Sequence, residues 1–366
     1  MARTRQKSHY YAHTMPGLEK VAWSEIDSRL KRATLEGFKV IAGRNGLVLF
    51  GYDGDADDLL RLRTTEDVYF VLSRIPKLPW GYEGLSRIFD GVAASRSFSL
   101  GLDHLQQVTG RRPGSRVRFR VIARLAGKSQ PFRRADLARS VEKAIERATR
   151  RTWRAVEEGE TVEVWANLIG LDFVCGLRLS DAEMRHRDYK VTHLPASLRP
   201  SVAAAMAWLT EPRPGDIFLD PMCGAGTLLI ERALMARYGL LLGGDLEQPA
   251  LQAAIENIGP RHKPRQLFHW DARQLPLATA SVDRVATNPP FGVQLGSPRE
   301  NPRLYRGLLS ELDRVLKPQG SAVVLTGEVA LIKETLRDIP HLRVAQSYPV
   351  TILGQRATIF VLSRPR

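Results

Sequence analysis

Cysteine is almost missing from this chain. Cys175 and Cys223 are the two thiols in 366 residues; one falls in a strand-like run and the other in a glycine turn, so neither a disulfide framework nor a zinc cluster can be built from them. No metal is expected. Long apolar runs are missing too: none approaches the roughly 18 residues a membrane-crossing helix needs. The N-terminus Met1-Ala2-Arg3-Thr4-Arg5-Gln6-Lys7 is basic but lacks the apolar segment of a secretory leader. No membrane partner is therefore expected, and the cytoplasm is the expected compartment. A complete dinucleotide fingerprint is also lacking. Gly224 and Gly226 follow a strand-like run, but the third glycine is absent and Asp220 precedes them, which leaves little welcome for a pyrophosphate.

Acidic residues are in short supply, and the deficit is local. The net charge is +15, and residues 101–154 alone carry fifteen Lys and Arg against four Asp and Glu, a net +11. Arginines clustered in one module, with their planar bidentate donors, point to phosphate contacts. The alternative is a merely solvated basic face.

What is present is organised around residues 217–230, Ile-Phe-Leu-Asp-Pro-Met-Cys-Gly-Ala-Gly-Thr-Leu-Leu-Ile. A short apolar strand ends in an acidic residue, turns through glycines and enters a helix. That arrangement presents backbone N–H groups and a helix N-terminus to a small molecule, and the aspartate suits a cationic one. A second anchor, Asn288-Pro289-Pro290-Phe291-Gly292, follows the strand-like run 282–287. Aspartates recur at the ends of the next strand-like runs, Asp245 after 239–244 and Asp271 after 266–270. The remainder of 201–366 alternates strand and helix as a doubly wound sheet does, with a turn at 316–320 and a closing antiparallel hairpin, 341–350 with 355–362. A helix from 202 to 209 is predicted with Ser201 as its cap.

Together, D-P-M-C-G-A-G-T and N-P-P-F-G resemble the S-adenosylmethionine-dependent amino-group methyltransferases, in particular those that methylate N2 of guanosine in RNA. N-P-P followed by Tyr or Phe is shared with DNA adenine and protein glutamine methyltransferases. The resemblance implies an α/β fold whose C-terminal part, 201–366, is a Rossmann-like class I methyltransferase domain with a seven-stranded mixed sheet. It implies S-adenosylmethionine as cofactor, with Asp245 accepting from the ribose hydroxyls and Asp271 from the adenine amine, and Ser197 near the methionine end. The cofactor set is thus Ser197, Asp220, Cys223, Gly224, Gly226, Thr227, Asp245, Asp271 and Asn288. The catalytic set is Asn288, Pro289, Pro290 and Phe291.

Upstream, residues 9–77 read as β-α-β-β-α-β, a ferredoxin-like unit, with Asn45-Gly46 in a hairpin turn and a helix at 57–62. Residues 79–182 open helically and continue with a strand at 117–122, a basic helix from 134 to about 153, and strands at 162–168 and 171–177. This pattern resembles the THUMP domain, an α+β RNA-binding module of tRNA-modifying enzymes. The expected organisation is therefore 1–78 ferredoxin-like, 79–182 THUMP, 183–200 linker and 201–366 methyltransferase. The same order occurs in the THUMP-domain tRNA guanosine-N2 methyltransferases, whose THUMP unit grips the tRNA acceptor end. From the basic cluster, Arg111, Arg112, Arg116, Arg133, Arg134, Arg147 and Arg150 are the expected RNA contacts. The resemblance implies tRNA as the partner, guanosine 6 of the acceptor stem as the target, and a monomer. Guanosine 10 and a ribosomal RNA guanosine are the alternatives, and an RNA-binding protein with an inactive methyltransferase half is an alternative of another class.

Overall fold

The structure, a computed structural model, describes residues 7–365 apart from 42, 112, 113, 129, 196, 292–298 and 353. Arg112 of the expected RNA set and Gly292 of the second anchor lie outside the described residues. The chain divides into two compact units, Met1–Met184 and Arg185–Arg366.

The first unit runs β1 (Ser8–Thr14), α1 (Glu19–Arg29), β2 (Thr34–Ile41), β3 (Asn45–Tyr52), α2 (Ala56–Leu59), β4 (Asp67–Ile75), α3 (Tyr82–Ala93), α4 (Phe98–Thr109), β5 (Val117–Ala126), α5 (Arg134–Ala148), β6 (Trp153–Ala155), β7 (Val162–Ile169) and β8 (Asp172–Arg178). All eight strands share one sheet in the order β2-β3-β1-β4-β8-β7-β5-β6. Alternation divides each strand between two faces. Tyr10, Phe50, Phe70, Phe119 and Phe173 join Ile26, Ile88, Leu105 and Leu137 of the helices in one core. Tyr11, Leu49, Tyr69 and Trp165 form a second cluster on the opposite face. The sheet curls around that second face: Lys39 of β2 ion-pairs with Asp172 of β8, and the Asn167 amide of β7 donates to the Tyr11 hydroxyl of β1 at 3.3 Å.

The first four strands follow the expected β-α-β-β-α-β order, but the boundary expected at 78/79 is not a break. β4 pairs antiparallel with β8 from Tyr69↔Arg178 to Ile75↔Phe173, so the two expected N-terminal domains share one sheet and one core. Each half offers the other an open edge, and edge strands with buried faces pair when they can. The helix expected to reach 153 ends at Ala148, and the tail of that stretch forms β6, parallel to β5 through Phe119↔Ala155.

After β8 the chain forms a single turn of helix, α6 (Glu183–His186). The second unit then contains α7 (Pro200–Leu209), β9 (Ile217–Asp220), α8 (Thr227–Met235), β10 (Leu240–Asp245), α9 (Gln248–Ile258), β11 (Arg265–His269), β12 (Val282–Thr287), α10 (Asn301–Val315), β13 (Leu316–Thr326), α11 (Val329–Thr335), β14 (Arg343–Ile352) and β15 (Gln355–Ser363). The seven-stranded sheet has the order β11-β10-β9-β12-β13-β15-β14. Its first five strands are parallel, and β15 runs antiparallel to both β13 and β14. The strand order reverses between β9 and β12, which pair through Val285↔Leu219. A crevice opens at the carboxyl ends of strands at such a switch point.

Two local expectations are corrected. Ser201 does not cap α7: the cap position is Arg199, Pro200 opens the helix, and Ser201 lies within it, as the preset φ of proline at the first helical position favours. The turn expected at 316–320 is absorbed into β13, whose pairing with β12 jumps from Val282↔Leu316 to Arg284↔Ser321. Gln319 at φ 65° marks the bulge.

Candidate active site

β9 delivers Asp220 to the switch point, where its side chain is 1 % exposed. Burial pushes the carboxyl up to about 8; the charge of Asp245 adds to this, and the Met222 N–H, 3.3 Å from Oδ1, works against it. The turn that follows needs its glycines for different reasons. Gly224 has φ 51° and faces open space, and its N–H donates to Asp245 Oδ2 at 2.9 Å. Gly226, at φ 79°, stands before the first residue of α8, where an added Cβ would lie 3.2 to 3.3 Å from Ile258 and Ala254. Cys223 N–H donates to the Gly244 carbonyl at 2.8 Å, locking the turn onto β10, and burial raises the Cys223 thiol well above its ordinary value.

A cavity of about 790 Å3 lies over this turn, within the roughly 300–1,000 Å3 typical of small-molecule sites. Its walls bring together Ser197, Asp220, Cys223, Gly224, Thr227, Asp245, Asp271 and Asn288-Pro289-Pro290-Phe291. Gly226 is the member of the expected cofactor set that does not line it. Its part is to let α8 and α9 approach closely.

Asp245 also accepts from Glu247 N–H at 3.0 Å, so its carboxylate braces the glycine turn and the loop after β10. Asp271 is engaged by its neighbour: Arg273 Nε lies 2.9 Å from both oxygens and Nη2 lies 2.5 Å from Oδ2. This guanidinium holds the Asp271 carboxyl below its usual range. Both carboxylates retain lone pairs, since each can accept about four hydrogen bonds.

β12 ends at Thr287 and presents Asn288 to the cavity. Asn288 Oδ1 is buried with no hydrogen-bond partner among the described residues, a costly state for a polar atom unless a ligand completes it. The Ser197 hydroxyl is in the same condition. Tyr305 steadies the loop from below: its hydroxyl lies 2.6 Å from Thr326 Oγ1 and donates to the Pro290 carbonyl at 3.4 Å. The Phe291 ring rests on Gly327, where an added Cβ would come within 2.9 Å of it.

Sequence reasoning missed several contributors. Asn257 of α9 ties the linker to the glycine turn, accepting from Thr192 N–H at 2.8 Å and donating to the carbonyls of Thr192 and Ala225 at 2.9 and 3.0 Å. Trp270 donates to the Pro221 carbonyl at 3.0 Å and packs against Gly244. Met222, Glu247, Arg273 and Gln355 line the cavity. Asn257 lies in the last turn of α9 and acts through partners distant in sequence, so that like the others it left no signal.

In the first unit, Arg111, Arg116, Arg133, Arg134, Arg147 and Arg150 are all exposed. Arg147 lies over the Phe89 ring at 5.7 Å, and Arg133 and Arg134 stand at the start of α5.

A tRNA (guanine(6)-N2)-methyltransferase of Thermus thermophilus is 31% identical to this chain over 252 residues, covering 67% of this chain and 72% of that protein. The chain belongs to that methyltransferase family. The crystal structure of TrmN from Thermus thermophilus superimposes with a TM-score of 0.78 at 26% identity, covering 98% of this chain and 100% of that one. Residues 187–357 match the family described as UPF0020, RMKL-like, methyltransferase domain. The tRNA (guanine(6)-N(2))-methyltransferase THUMP3 of Bos taurus is 33% identical over 264 residues, 68% of this chain. The chain spans about half the length of that mammalian relative, 51%. Among the described residues no helix is long and apolar enough to cross a membrane.

Proposed function

We propose that this member of the family transfers a methyl group from S-adenosylmethionine to the exocyclic N2 amine of a guanosine in tRNA, with guanosine 6 of the acceptor stem as its target. The observation that carries the reading is Asn288, whose side-chain oxygen is buried without a partner among the described residues in the cavity that Asp220 also lines. S-adenosylmethionine, when bound, supplies a methyl group activated by its sulfonium. Asp220, Gly224, Asp245, Asp271 and Ser197 are the residues that would hold it.

The chain's own task is to aim a weak nucleophile, because the guanine N2 lone pair is delocalised into the ring. Asn288 Oδ1 accepts one amino hydrogen. The Pro290 carbonyl is already engaged by Tyr305, so the Pro289 carbonyl is the second acceptor. The two acceptors orient the nitrogen and stabilise positive charge as it develops. The prolines stiffen the loop and offer no competing N–H, and Phe291 gives the base a flat face. A guanosine paired in a stem must flip out to enter. Residues 79–182, read as a THUMP module, would grip the tRNA through the exposed arginines, with the protein acting as a cytoplasmic monomer.

Incubating the purified protein with S-adenosylmethionine and a tRNA transcript, followed by mass spectrometry of its nucleosides, tests the reading. N2-methylguanosine that disappears when guanosine 6 is replaced by adenosine supports it. Product that persists moves the target to guanosine 10 or to another site.

A further inference from the structure

The N-P-P-F loop explains how an amine on a ring is oriented, but not which base carries it. Adenine N6 would satisfy Asn288 and Pro289 as well as guanine N2 does. Discrimination must come from groups that face the rest of the base, and another wall of the same cavity supplies one.

That wall is the β14–β15 hairpin. β13 separates it from the loop: Thr287 of β12 pairs with Val324, and Leu325 pairs with Ile359 of β15. Side chains two apart on a strand share a face, so Gln355 and Ala357 stand on the same side as Ile359 and Leu325, in register toward the carboxyl ends of the parallel strands. Leu325, Ile352, Gln355 and Ala357 all line the cavity. Of these four, Gln355 is the one with a polar side chain, and its amide makes no hydrogen bond with any described residue. An amide that no described residue engages, on an otherwise apolar wall and in a cavity that also holds the Asn288 oxygen, unpartnered among the described residues, is suited to a ligand that brings both a donor and an acceptor.

We propose that Gln355 is a specificity-determining residue that reads the N1–H and O6 edge of guanine; this rests on the guanosine reading above. With N2 held at Asn288, the next atoms around the ring are N1–H, a donor, and O6, an acceptor. The side-chain amide of Gln355 pairs with both at once, its oxygen accepting from N1–H and its nitrogen donating to O6. Adenine placed with N6 at Asn288 presents a bare N1 followed by C2–H, so one half of the amide is left unpaired. A bidentate pair of this kind discriminates between bases by roughly ten- to a hundredfold.

The test compares tRNA carrying guanosine at the target position with the same tRNA carrying 2-aminopurine, which keeps the 2-amino group but lacks N1–H and O6. Wild-type protein should favour guanosine in kcat/KM by roughly ten- to a hundredfold. Gln355→Met should bring that ratio to within about threefold of unity by lowering the guanosine rate, while the dissociation constant for S-adenosylmethionine stays unchanged. Gln355→Ala, which cannot overpack the wall, should do the same. An unchanged ratio in both variants overturns the assignment to Gln355 and leaves the guanosine reading standing. A wild-type protein that methylates neither RNA overturns the guanosine reading, and the assignment with it.

Discussion

Replacing Asp220 with asparagine should stabilise the free protein while removing its function. The side chain is 1 % exposed, and burial pushes its carboxyl up to about 8 from an ordinary value near 4. The folded state therefore keeps a proton that the unfolded chain releases above about pH 4. Between these limits the unfolded state binds fewer protons, so stability falls as pH rises, by about 1.4 kcal/mol per pH unit, and levels off above pH 8. Over the whole window the penalty is on the order of 5 kcal/mol. An asparagine at this position would be neutral in both states and, with the same shape, can still accept from Met222 N–H. For a unit of this size 1 kcal/mol corresponds to roughly 2–4 °C. The melting temperature of Asp220→Asn should therefore rise relative to wild type by about 3–6 °C per pH unit between about pH 5 and 8. Calorimetric melting of both proteins across that range measures it, and parallel curves would refute the account of Asp220. A cationic cofactor beside this carboxyl favours its ionised form, so binding near pH 7 should release about one proton. Titration calorimetry in buffers of different ionisation enthalpy reads that directly.

Three further outcomes follow from the geometry. Asn288→Ala should leave cofactor affinity intact and lower kcat by roughly a hundred- to a thousandfold, as loss of a transition-state hydrogen bond does; equal rates would sink its role. Asp245→Ala should weaken S-adenosylmethionine binding by about 1.5–3 kcal/mol, and because Asp245 also holds Gly224 N–H, amide exchange in that turn should speed up. An unchanged dissociation constant removes Asp245 from the site. Neutralising Arg133, Arg134, Arg147 and Arg150 together should flatten the salt dependence of tRNA binding by up to roughly 0.7–0.9 in slope for each phosphate that no longer meets a guanidinium, with little change in melting temperature because all four are exposed. A slope identical to wild type in filter binding would mean that RNA uses another surface.

The motifs that proved legible in the sequence are those whose chemistry is local. Asp220, Gly224 and Asn288 could be located because a strand end, a left-handed glycine and a Pro-Pro loop are each specified within a few residues. The strand expected at 162–168 likewise gave β7 nearly whole. What could not be read depends on partners distant in sequence. The union of β4 with β8 joins residues about a hundred positions apart, β6 is three residues long, and the bulge in β13 is imposed by its register with β12. Asn257 and Arg273 are indistinguishable in the sequence from ordinary helix and loop residues until Thr192 and Asp271 are brought beside them.

The shared sheet of the first unit also limits how the protein can be dissected. Removing residues 1–78 would strip β4 from β8 and leave Phe173, Cys175 and Leu177 on an unprotected edge, a surface prone to pairing with other chains. A transplanted first unit would therefore have to begin before β1 rather than at residue 79. Proteolytic trimming of the intact protein should halt near residue 184 instead of releasing a ferredoxin-like fragment.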